Sequence, residues 1–76
     1  MPRYNGHRNW DYWNVSLWIN NDERLYRQAL GCVRHTRTKT EAAQWMLNEL
    51  NHAGITETRD GALYTLNRIR AAMVEM

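Results

Sequence analysis

The sequence predicts an all-α or nearly all-α domain, a small bundle of about four helices with room for one short β-hairpin between the last two. Three observations carry this. Apolar residues recur at i, i+3, i+4 and i+7 over most of the chain. A capping residue stands ahead of each such run: Asn9 or Asp11, Asp22, Thr38 and Thr65. Only one segment reads well as a partner for a strand, and an isolated strand has nothing to pair with.

The elements follow in order. Residues 1–9 read as a flexible basic arm carrying Arg3, His7 and Arg8, and residues 10–76 as a single helical domain. Residues 10–20 hold three of the four Trp and carry two competing periods. Trp13, Val15, Leu17 and Ile19 alternate as in a strand. Trp10, Trp13, Leu17 with Val15, Trp18, Ile19 cover a broad helical face, and helix is the reading adopted. Asn20-Asn21-Asp22-Glu23 is a break and a new start, with acids suited to the positive end of the helix dipole. Leu25, Tyr26, Ala29, Leu30 and Val33 then place a helix over about 22–35. Gly31 inside it points to close packing against a neighbouring helix. Thr38 and Glu41 form the pattern of a capping box. Ala43, Met46, Leu47 and Leu50, widened by Ala42 and Trp45, give a helix over 39–53, stopped by Gly54. Asp60-Gly61 between β-capable residues signals a hairpin of Ile55–Thr58 with Ala62–Tyr64, or else an irregular loop. Thr65 caps a last helix over about 66–75, with Tyr64 and Ile69 spaced as a hydrophobic staple.

Composition narrows the function. Seventy-six residues make one domain with little room for a concave catalytic pocket. The net charge of +2 is mildly basic, weak for a strong nucleic-acid signal and opposed to a DNA mimic. Nine of the ten basic residues are Arg, suited to interfaces and to phosphate, although codon bias gives the same pattern. Four Trp and four Tyr without a Phe favour rings with a polar handle, the type enriched at interfaces. A single cysteine, Cys32, excludes an intramolecular disulfide and fits a reducing compartment. No secretory signal and no spanning apolar run is present, so a cytoplasmic location and no membrane partner are expected.

Chemistry-bearing patterns are sparse. Cys32 and His35 have a ligand-compatible spacing, but two ligands do not make a zinc site, and no metal or cofactor is expected. Ser16 and Cys32 lack a predictable His neighbour, the acids sit where caps and dipoles explain them, and no glycine-rich phosphate loop exists. No enzyme is expected. Arg68 and Arg70 lie 200° apart on a helix, which weakens a groove-reading face.

Two stretches resemble known groups. Trp13 to Tyr26, WNVSLWINNDERLY, resembles the W-N-V-x-L-W-I-x-N-D-E-x-L-Y signature of small uncharacterised proteins encoded by phages, prophages and plasmids. The similarity extends through Gly54-Ile55-Thr56 and Asp60-Gly61-Ala62 to Ile69–Met73. It implies a mobile-element setting, where accessory proteins commonly counter host defences, CRISPR systems included. Leu47 to Arg70 resembles a segment of the DNA-binding region of large serine recombinases, through Gly54-Ile55, Thr58, Tyr64-Thr65 and Ile69-Arg70. The catalytic serine domain is absent, so this resemblance implies only a helix–hairpin–helix unit.

Two functions are therefore expected in competition. The first is a non-enzymatic, anti-CRISPR-like inhibitor that binds a host defence protein complex such as a CRISPR effector. Tyr4, Trp10 and Trp18 would be its anchors and Arg3, Arg8 and Arg24 its charged rim. The second is a DNA-binding regulator in which Arg59, Asn67, Arg68 and Arg70 contact nucleic acid. A homodimer suits either.

Overall fold

A computed structural model describes residues 9–76 as four helices. They are α1 (Trp10–Asn21), α2 (Glu23–Arg34), α3 (Lys39–His52) and α4 (Leu66–Ala72). The basic arm lies outside the described residues except for Asn9, which caps α1 by accepting from the Tyr12 amide at 3.1 Å. Asp22, Thr38 and Thr65 cap α2, α3 and α4 in the same way. Each satisfies a backbone N–H that has no partner inside its helix.

The helices close a ring. α1 packs on α2 and α4, and α3 packs on the same two, while the diagonal pairs do not meet. The centre is filled by Val15 and Ile19 of α1, Ala29 and Cys32 of α2, Ala42, Ala43, Met46 and Leu50 of α3, and Ile69 and Ala72 of α4. Ala62 and Tyr64 from the α3–α4 connection and Met73 complete it. Fully burying a side chain the size of Ile or Leu contributes about 1.5–3 kcal/mol. The five alanines of this core let the short helices approach closely.

Four expectations are corrected. No strand forms among the described residues. The proposed hairpin reduces to one antiparallel bridge, Glu57 with Leu63, because only a few residues on either side of the turn separate it from the end of α3 and the start of α4. α4 stops at Ala72 rather than 75. There the Met73 amide is shared between Ile69 O and Arg70 O, Asn20 Nδ2 donates to Ala72 O at 3.3 Å, and Met76 folds back onto the core. Gly31 is not a close-packing residue, since a methyl built on it meets nothing within 4 Å. Trp45 does not widen the α3 core face. It is 42% exposed, with its ring 6.4 Å from that of His35.

Most of the aromatic excess stays out of the core, with Trp10, Tyr26 and Trp45 exposed and Tyr12, Trp13 and Trp18 half-buried. None of the four Trp is buried, and among the described tyrosines only Tyr64 is. In α1 the core stripe is Val15 and Ile19, whereas Trp10 and Leu17 face outward at 36% and 37% exposure.

Candidate protein-binding face

The connection between α3 and α4 is irregular backbone held in one shape. Gly54, at φ +80°, ends α3 in a Schellman arrangement: its amide bonds Asn51 O, and the Ile55 amide bonds Leu50 O at 2.8 Å. Gly61, at φ +94°, makes the second reversal. Between them the Tyr64 amide reaches Thr56 O and the Thr58 amide reaches Ala62 O. Inward and outward side chains therefore alternate, with Thr58, Ala62 and Tyr64 buried and Glu57, Arg59 and Leu63 exposed.

A polar centre fastens this loop to α1. Asn14 is 1% exposed and uses both ends of its amide. Its Oδ1 accepts from the Thr58 hydroxyl at 2.5 Å, and its Nδ2 donates to Asp60 Oδ2 at 2.8 Å. Trp18 Nε1 donates to the same oxygen at 2.8 Å. The Thr58 Oγ1 in turn accepts from the amides of Ala62 and Asp60. The hydrogen bonds from Asn14 and then Trp18 hold the Asp60 carboxyl below its ordinary range. Above Trp18 lies the Arg59 guanidinium, its central carbon 5.8 Å from the ring centroid.

Trp18, half-buried, lines two depressions. A groove of about 640 Å³ runs between α2 and the loop, lined by Trp18, Asp22, Arg24, Leu25, Ile55, Arg59 and Tyr64 among others. Burial, and then the charge of Asp22, push the Tyr64 hydroxyl up in pKa. A second depression of about 360 Å³ is lined by Leu17, Trp18, Asn21 and Asp22. Arg24 and Arg59 make no ion pair among the described residues, and Ile55 is 42% exposed beside them. The polar centre is an amide, a hydroxyl, an indole and a carboxylate that already satisfy one another. It fixes the 54–64 loop against α1.

The structure brings together some of the residues singled out in the sequence and separates others. Trp18, Arg24 and Arg59 share the groove, although they were assigned to two different functions. Trp10 is exposed at the start of α1. Tyr4, Arg3 and Arg8 lie outside the described residues. Arg68 is engaged within the fold: its guanidinium donates to Leu63 O at 3.0 Å, approaches Asp11 at 3.4 Å and lies over Tyr12. Asn67 and Arg70 are exposed on α4 and line a separate depression. Sequence reasoning missed Asn14, Thr58 and Asp60 as a unit. The available signal was an Asn standing within an apolar helical stretch, where a buried amide needs partners. It also missed Leu17 and Ile55 as exposed contacts.

A family model matches residues 1–76, described as a family of unknown function, DUF7249, and the chain belongs to it. No curated protein and no solved structure matches the chain.

Proposed function

We propose that this member of a family without an assigned activity is a non-enzymatic protein-binding module, and that α1 with the 54–64 loop is its binding face. The observation that carries the reading is Trp18 between two depressions, with Leu25 and Ile55 in the wall of one and Leu17 in the wall of the other, and beside it the guanidiniums of Arg24 and Arg59, which make no ion pair among the described residues. Trp and Arg are the residues that dominate protein-binding hot spots, and anchors work best where the surface is already rigid. The Asn14 hydrogen bonds tie the loop to α1. The partner that fits presents an apolar side chain to Leu25 and Ile55 and a carboxylate to the two arginines. The resemblance to small phage and plasmid proteins supports a host defence complex as that partner, with inhibition by covering a surface.

The test is a pull-down from nuclease-treated lysate of a bacterial host, wild type against Leu17→Asp/Arg59→Glu, read by mass spectrometry. One defence complex retained by wild type and lost by the variant is the expected result. Equal recovery by both proteins, or recovery of nucleic acid alone, overturns the reading.

A further inference from the structure

A third depression lies away from Trp18 and shares no lining residue with the other two. It measures about 350 Å³ and is lined by Tyr12 of α1, Lys39 at the start of α3, and Asn67, Arg70, Ala71 and Val74 of α4 and its end. No acidic side chain is in its wall. Lys39 and Arg70 take part in neither ion pair among the described residues, whereas Arg68, on the opposite side of α4, is drawn to Asp11. The nearest acids along the chain are Asp11, next to Tyr12 and drawn to Arg68, Glu75, next to Val74, and Glu41, which receives the Thr38 hydroxyl. At the start of α3 the Thr38 hydroxyl caps the Glu41 amide, and Lys39 and Arg70 supply the positive charge of the pocket.

The charge continues beyond the pocket. The α2–α3 turn leads into Lys39 with Arg34, His35 and Arg37, all three exposed, and holds no acid from 34 to 40. We infer that this pocket and turn form a binding site for the phosphodiester backbone of a nucleic acid. Lys39 and Arg70 would clasp one phosphate, Asn67 would donate to its oxygen or to the sugar, and Arg37 and Arg34 would meet phosphates further along. A lone phosphate could use only the pocket, while a strand uses the row. The inference stands independently of the protein-binding reading, since the two surfaces have no lining residue in common.

Fluorescence anisotropy of the purified chain with a labelled 16-nucleotide probe, single-stranded and as a duplex, tests it. With about three phosphates contacted, duplex affinity should fall roughly 40-fold between 50 and 200 mM salt. Lys39→Glu/Arg70→Glu should weaken binding at least about tenfold, and Arg37→Gln, which removes the sole partner of one phosphate, should reduce the salt slope by about one contact. Arg24→Glu/Arg59→Glu, on the other surface, should leave it unchanged. Circular dichroism of each variant reports folding, and Lys39→Arg should retain binding. No binding by wild type at low salt, equal loss in both double variants, or inorganic polyphosphate binding as tightly as the oligonucleotide would each overturn the assignment.

Discussion

Asn14→Ala is the most informative single perturbation of the fold. It deletes the acceptor of the Thr58 hydroxyl, whose residue is 4% exposed and therefore closed to a replacing water. An orphaned buried donor costs about 1–3 kcal/mol. The void left by the amide adds under about 1 kcal/mol at roughly 24 cal/mol per Å³. The loss of the Asp60 contact adds little, because that carboxylate faces solvent and keeps its bond to Trp18. The expected total is about 2–3 kcal/mol, a large share of the roughly 3–5 kcal/mol that a core of this size supplies. For a domain of this length that lowers Tm by about 8–24 °C. Thermal and urea unfolding followed by circular dichroism measure it. A double-mutant cycle with Thr58→Val should give a coupling energy of about 1–2 kcal/mol. A change under about 0.5 kcal/mol for Asn14→Ala, or no coupling, would refute the view that this pair holds the loop.

Three further outcomes are expected. Cys32, its thiol pushed up to about 11 chiefly by burial and then by Glu49, should resist iodoacetamide at pH 8 in the folded protein and react readily in urea, as mass spectrometry of the alkylated chain will show. Asp60 has a lowered folded pKa, so its contribution is fully present above the ordinary carboxylate value of about 3.9 and is lost as pH falls through the lowered one. An acid titration of Trp fluorescence should show the weakening of the Trp18–Asp60 hydrogen bond, and Asp60→Asn should remove that transition. Gly54→Ala meets no neighbour within 4 Å but forces a side chain into the left-handed region, costing about 1–2 kcal/mol in urea unfolding.

Much of the fold was legible because caps and periodicity are local. Thr38 and Thr65, the Gly54 stop and the stripe Ala43–Met46–Leu50 all behave as their spacing predicts. The departures come from tertiary choices. Trp10, Leu17 and Trp45 fit an apolar face by spacing, but a ring of four short helices has room at its centre for Ala, Ile, Met and Leu, not for indoles. The 55–64 segment was ambiguous because its shape is set by Asn14, more than 40 residues away. The same distance hid the candidate site. Trp18 and Arg59 were visible as residue types, but only the folded loop stacks one on the other.

The alternation of the loop has an evolutionary consequence. Thr58, Ala62 and Tyr64 are buried and Asp60 is tied to α1, while Ile55, Glu57, Arg59 and Leu63 point away and contribute little to the hydrophobic interior. Selection for a new target can rewrite those four outer positions while the inner ones keep the same loop path. The segment thus separates foldability from recognition along one stretch of chain, much as hypervariable loops do on an antibody framework. A library randomised at 55, 57, 59 and 63 should remain folded in most of its members, and the domain would serve as a compact, disulfide-free scaffold for diversification.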